Sequence, residues 1–264
     1  MTPDIGFDKI LIAALFLLIN GGISLALSLG IGRSLLIAGV RMVVQLVLLA
    51  FVLRWIFEVD SIAITLVAMI VMGGFAGYEV LLRQAHPAGR LWTASLGTTV
   101  MLSCGFLITL PTLAVIVQAE PWFSPRVALP MFGMIAGSAM GSIALTLHVL
   151  SHALIRDALI IEARLSMGES KFQALGPTLR TAIRSGLLPT VTNMASIGVV
   201  SIPGMMTGQI LANADPLTAA KYQMVIMFLI SATSALGAVA AAYALAWRVT
   251  DQRHRLRLDR LRGV

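Results

Sequence analysis

Charge is what this sequence has least of. Only 12% of its 264 residues are Asp, Glu, Lys or Arg, while 58% are hydrophobic and the mean hydropathy is +0.91. A soluble domain carries about 25% charge and about 45–50% apolar residues. Water could not solvate a fold with this much apolar surface and so few charges, whereas a bilayer can. Cysteine is nearly absent as well. Cys104 stands alone, which excludes an internal disulfide framework and a multi-cysteine zinc site. Lysine is scarce, and none of Lys9, Lys171 and Lys221 sits in a G-x-x-x-x-G-K-[ST] loop, so the chain cannot cradle nucleotide phosphates in that way. The H-E-x-x-H and G-x-S-x-G patterns are missing too. The chain reads as a non-enzyme with no cofactor of its own. Its net charge of +7 does not point to nucleic acid, because the positive residues fall in loops and at the C-terminus, where membrane topology accounts for them.

What is present is a series of long apolar runs. A helix needs about 20 apolar residues to cross the hydrocarbon core. Seven segments qualify, at 10–30, 34–56, 61–81, 91–116, 127–150, 187–212 and 222–247. The first has no small-residue cleavage site after it and reads as a retained span. The expected architecture is a single all-α domain over 1–264, a polytopic bundle of about seven spans. Gly30-Ile31-Gly32-Arg33, Glu58-Val59-Asp60, His86-Pro87-Ala88-Gly89-Arg90, Glu120-Pro121 and Asn213-Ala214-Asp215-Pro216 punctuate it. Segment 187–212 carries Pro189, Asn193, Pro203, Gly204 and Gly208 and reads as broken, either crossing or re-entrant.

Orientation follows from Lys and Arg. With the C-terminus inside, the inner set is Arg33, Arg83, Arg90, Arg156, Arg164, Lys171, Arg180, Arg184, Arg248, Arg253, Arg255, Arg257, Arg260 and Arg262. The outer set is Lys9, Arg54, Arg126 and Lys221. Seven crossings then put the N-terminus outside, while a re-entrant 187–212 moves it inside. The tail 248–264 reads as a short basic amphipathic helix resting on anionic lipid headgroups.

Transport is the default work of such a bundle, and the polar stretch 151–185 is where it would meet something in the cytosol. A helix is expected to continue out of the fifth span, with Ile155, Leu159 and Glu162 at helical spacing. Gly168 then permits a tight turn, and a second helix runs to about Arg184. Glu162-Ala163 followed by Gly168 resembles the coupling loop of ABC permeases, a family whose short helix docks on a separate ATPase subunit. The closing I-x-L-P of that family is only partly matched, by Leu188-Pro189. A solvated linker is the alternative reading.

In the segment from Ser196 to Leu236, Pro203 frees a backbone carbonyl and Gly204 and Gly208 allow close backbone approach. Met205, Met206, Thr207 and Gln209 lie among them. Broken helices persist in a membrane where they are buried in protein or line a watery cavity, so this segment is either a kinked packing helix or part of a substrate lining. Arg41 and Gln45 share one face of the second span. An intramembrane Arg is a functional candidate, although Arg41 lies about 12 Å of helix rise from Arg33 and could snorkel. Gly133, Gly137 and Gly141 form a small-residue face suited to helix packing. His148 and His152 have metal-binding spacing, with no carboxylate to complete a site. Mid-span Asp and Glu are lacking, which weighs against the alternative of an ion-coupled secondary transporter.

"GRSLLIAGVRMVVQLVLLAFVLRWIF", "PMFGMIAGSAM" and "PGMMTGQILANADPLTAAKYQ" resemble the FetB/YbbM iron-export permeases, whose plant relatives are linked to aluminium tolerance. The resemblance runs from about Arg33 to Arg248. It implies a bacterial inner-membrane permease that works as a homodimer, pairs with a separate FetA-type ATPase where ATP is bound, and exports iron or another metal or small solute.

Overall fold

Backbone polar groups in lipid must be paired within the chain, and runs of this length do so as helices. The computed structural model describes residues 6–28, 30–118, 120–121, 123–251 and 255–261, and there the protein is an all-α polytopic membrane bundle. Its helices are α1 (Phe7–Ala26), α2 (Gly32–Val59), α3 (Ile62–Leu82), α4 (Arg90–Pro111, extended by a π-helical turn, Thr112–Val117), α5 (Pro125–Arg156), α6 (Ala158–Ser166), α7 (Lys171–Ser196), α8 (Gly204–Leu211) and α9 (Pro216–Arg248). Among the described residues six helices are long and apolar enough to cross a membrane: α1, α2, α3, α4, α5 and α9. They form two compact units, one within 1–60 and one within 61–264.

In the first unit α1 packs on α2, where Gly39 leaves room for Leu17. In the second, α5 is the central helix, packed against α3, α4, α7 and α9. Small residues set its geometry. A Cβ at Gly77 of α3 would collide with the backbone of Thr98 in α4, and one at Gly186 of α7 would collide with Thr146 Oγ1 of α5. Phe132 of α5, fully buried, fills the space left by Gly73 and Gly105. Gly237 of α9 lies against Ile143. These pairings, with Gln84 Nε2 donating to Ala144 O at 3.1 Å, make α3 and α5 parallel and α4 antiparallel to them; α9 is antiparallel to α4, and so parallel to α5, because its Gly237 lies near Val100 and its Arg248 guanidinium sits over the Trp92 ring.

Segment 187–212 is broken, as its Pro and Gly content suggested, because α7 stops at Ser196 and a bridged turn, Ile197 to Ser201, precedes Pro203 and α8. Its bounds are corrected. α7 instead begins at Lys171, and it passes Arg184 without a break. It runs antiparallel to α5, with Gly186 level with Thr146 and Thr190 level with Ser142, and its Phe172 ring stacks on Tyr243 of α9. Ala174, Thr178, Ala182, Gly186 and Thr190, each four residues apart, are buried on that seam. Hydropathy passes over α7 because Lys171, Arg180 and Arg184 interrupt it and small and hydroxyl residues fill the one face that α5 and α9 cover. Since α5 and α9 are parallel, the chain between them has to cross the bundle, and α7 with α8 makes that crossing. Arg180 and Arg184, placed from sequence in the second helix of the polar stretch, are on the exposed face of α7.

Two further expectations change. α5 does not continue into α6, because the helix breaks at Asp157. The tail is not an amphipathic α-helix among its described residues. It folds back, with Thr250 bridged to Leu256, Arg257 N donating to Val249 O at 2.7 Å, a short 3-10 turn at Leu258–Arg260, and Leu261 buried. Arg253 and Arg262 lie outside the described residues.

Candidate permeation groove and coupling helix

α5, α7 and α9 enclose a groove of about 460 Å³. Its floor is α5 at Gly137, Ser138, Gly141 and Ser142. Its walls are Pro189, Thr190 and Asn193 of α7 and Gln223, Met227 and Ile230 of α9, and the turn from Ile197 to Pro203 forms its rim. The sequence builds this locally. Gly198 takes φ +87°, the left-handed region, and its N–H donates to Ser201 O at 3.0 Å, while Val200 N donates to Ser196 O at 2.9 Å. α9 starts where Asp215 caps it by accepting from Thr218 N at 2.9 Å and Oγ1 at 3.1 Å, with Pro216 in the first turn. Those Thr218 hydrogen bonds hold the Asp215 carboxyl below its ordinary range.

The groove is polar and formally uncharged. Ser142 and Thr190 hydroxyls, both buried, lie 3.4 Å apart across the α5–α7 seam, and Thr146 Oγ1 donates to Ser142 O at 2.8 Å. Gln223 is 6% exposed, and its Oε1 is buried with no hydrogen-bond partner. Among the described residues no Asp, Glu, Lys, Arg, His or Cys lines the space.

Of the residues picked from sequence for a pathway, Pro203 lines this groove. Gly204, Met205, Met206, Thr207, Gly208 and Gln209 form α8, which packs on α9. Arg41 and Gln45 are exposed on α2, in the first unit. Gly133 faces Met72 of α3, but a Cβ at Gly137 or Gly141 would meet nothing within 4 Å, so those two open the groove floor. Sequence reasoning missed Thr190 and Gln223. The readable signal was a hydroxyl or carboxamide set inside an apolar or small-residue stripe.

His148 and His152 stack edge-to-face at 4.5 Å, and His86, from the α3–α4 loop, joins His152 at 5.0 Å. Among the described residues no group of three or more His, Cys, Asp or Glu is arranged to hold a metal ion.

The second feature is α6. Asp157, held below its ordinary range by the hydrogen-bonded Arg156 guanidinium, marks the break from α5. α6 is anchored by buried Ile161 and turns back at Gly168, whose φ of +90° is the tight turn expected there. Arg164 pairs with Glu169 at 2.9 Å and donates to Ala174 O at 3.3 Å, and Ser170 with Gln173 forms a capping box for α7. The outward face holds Leu159 (82% exposed), Ile160 (64%), Ala163 and Met167 (74%), with Glu162 and Gly168 also exposed.

Residues 7–249 match the model of an uncharacterised protein family, UPF0014. The chain belongs to the UPF0014 family. Among its relatives, the UPF0014 membrane protein slr1647 of Synechocystis is 37% identical over 216 residues, 80% of this chain and 81% of that protein. The probable iron export permease protein FetB of Escherichia coli K12 is 32% identical over 222 residues, 84% and 83% of the two chains. The UPF0014 membrane protein STAR2 of rice is 31% identical over 220 residues, 83% and 74%. No solved structure matches. In this UPF0014 member the family match takes in the groove and α6 and stops at the end of α9, so the folded-back tail lies beyond it.

Proposed function

We propose that this UPF0014 protein is the membrane subunit of an ABC-type exporter of iron, working as a homodimer with a separate cytosolic ATPase. The observation that carries the coupling claim is α6, a short helix between a break and a glycine turn, with Leu159, Ile160, Ala163 and Met167 presented on one outward face. An amphipathic helix of this kind is the element that docks into a groove on a partner. Because Arg164 ties α6 to the start of α7, a push on α6 would reach the groove wall. The iron reading leans on the printed name of the Escherichia coli relative.

The same end of the second unit carries Arg83, Arg90, Arg156, Arg164, Lys171 and Arg248, against Arg126 and Lys221 at the other. The positive-inside bias puts that end, with α6, in the cytoplasm of a bacterial inner membrane. Counting the α7–α8 crossing, the N-terminus is outside. An ion-coupled transporter would want a titratable group in its site, and the groove lining holds none among the described residues.

Tagged protein drawn from native membranes in mild detergent should bring down an ATPase whose turnover rises when iron is supplied. Replacing Glu162 by Ala together with Gly168 by Val should abolish export and ATPase capture while membrane insertion is kept. Unchanged export by that variant would sink the coupling role of α6.

A further inference from the structure

Charges of one sign crowded into a cleft repel one another and draw in counter-ions. The folded-back tail makes such a cleft. Trp247 and Arg248 at the end of α9, Lys171 of α7, and Thr250, Asp251, Arg255, Arg257 and Arg260 of the tail line a pocket of about 670 Å³. Arg260 NH1 donating to Arg248 O at 2.7 Å and the buried Leu261 pin the tail, and the Phe172 ring against Tyr243 at 5.7 Å seats the first turn of α7 beside α9. Among the described residues five cations share this lining with one carboxylate, Asp251. Arg257 is answered from outside the lining by Asp259 at 2.8 Å, whereas Lys171, Arg248 and Arg255 form no ion pair among the described residues. Guanidinium forks beside an ammonium suit phosphate oxygens.

The height of the pocket decides which phosphate. α9 is apolar enough to cross a membrane, and the pocket opens at its final turn, where hydrocarbon gives way to headgroups. Trp247, 63% exposed in the lining, and Tyr243, 46% exposed one turn earlier, are the residue types that collect at that boundary. A soluble phosphate compound needs no exposed indole beside it, while a lipid can lay its glycerol and first methylenes there. Basic clusters just beyond a membrane helix attract anionic headgroups. A surface helix would meet them along one face, but the folded-back tail walls a site for one of them.

We propose that this pocket binds the phosphate headgroup of one anionic phospholipid through Lys171, Arg248 and Arg255, and that the bound lipid ties the tail and the start of α7 to the end of α9. Five of the eight lining residues lie past residue 249, where the family match ends, so the site does not depend on the transport reading.

The test is thermal unfolding of the purified full-length chain in dodecylmaltoside micelles carrying phosphatidylglycerol or zwitterionic phosphatidylcholine, with retained lipids counted by native mass spectrometry. Phosphatidylglycerol should raise the unfolding temperature above that in phosphatidylcholine, and one molecule of it should stay bound. Lys171→Gln combined with Arg255→Gln breaks no ion pair, so its melt in phosphatidylcholine should match the wild type. Its affinity for phosphatidylglycerol should fall about thirtyfold, the scale for two basic residues at an anionic surface. Arg255→Gln alone, at an exposed position, should lose about fivefold and keeps the test valid if the double variant melts early. Arg180→Gln removes a charge from the exposed face of α7 outside this pocket and should behave as the wild type.

Equal binding of phosphatidylglycerol by the wild type and both pocket variants would overturn the inference. So would a loss in Arg180→Gln as large as that in Arg255→Gln, since net charge and not the pocket would then set the affinity. Inorganic pyrophosphate is the soluble probe. A shift by pyrophosphate in phosphatidylcholine that Arg255→Gln removes, with none by phosphatidylglycerol, would overturn the lipid in favour of a soluble phosphate compound.

Discussion

α2 and α5 are both long membrane helices, and they use their side chains in opposite ways. α2 is the more apolar, with a window of mean hydropathy 2.5, and none of that window is buried. The corresponding window of α5 is less apolar, at 1.6, and 56% of it is buried. In water the ranking would be reversed. In lipid, tails are as apolar as Leu, so apolarity does not drive helices together, and close packing of small residues does. α5 meets its neighbours through Ser142, Ala136, Ala139 and Thr146 and through the glycines that face it, whereas α2 displays Val43, Leu46, Leu48 and Val52.

The sharpest way to break this contrast is to add one methyl group where helices touch through glycine. Gly77→Ala puts a Cβ into the backbone of Thr98, which has no flexible end to move aside. The expected loss is about 3 kcal/mol, at the upper end for overpacking. It would be seen as a collapsed monodisperse peak and an early melt in detergent. Gly186→Ala should cost somewhat less, about 2 kcal/mol, because the Thr146 side chain can rotate even though Ser142 O, 2.8 Å from the new Cβ, cannot. Should both variants melt like the wild type, the glycine seams are not what holds the second unit together.

The same physics explains what was readable from sequence. The apolar runs of α1 to α5 and α9 are visible because lipid contact writes itself as hydropathy. The break before Pro203, the turn at Gly168 and the Asp215-Pro216 helix start are visible because backbone geometry restricts which residues serve there. α7 was misplaced by more than a dozen residues because the face it packs is made of small residues and its open face carries Arg180 and Arg184. Its signal was the four-residue recurrence from Ala174 to Thr190. The groove was hidden for a related reason. Gln223 looks like any polar residue near a helix start until α5 and α7 close over it. The tail misled because its Arg-rich composition suits a surface helix, whereas Arg260 NH1 donating to Arg248 O at 2.7 Å folds it back.

A third change tests the link between α6 and the groove wall. Arg164→Ala removes the 2.9 Å pair with Glu169 and the contact with Ala174 O. Both partners are about a third exposed, so stability should fall by no more than about 1 kcal/mol. The informative reading is transport per ATP hydrolysed, which should drop several-fold while ATPase capture persists. Equal losses of transport and capture would mean that Arg164 only supports the docking face.

The smallest effect is expected on α2, and it closes the comparison from the other side. Leu48 is 59% exposed, and the substitution Leu48→Ala removes apolar area that meets lipid in both the folded and the dissociated helix. Its cost to unfolding should stay within about 0.5 kcal/mol, the range of ordinary surface changes. The same residue cut from a packed core would cost about 2–5 kcal/mol. The two ranges do not overlap, so one melt decides between them. A loss in the upper range, particularly one that deepens on dilution, would mean that the apolar face of α2 is packed against protein, with a second copy of the chain the first partner to test by crosslinking through a cysteine placed at Leu48.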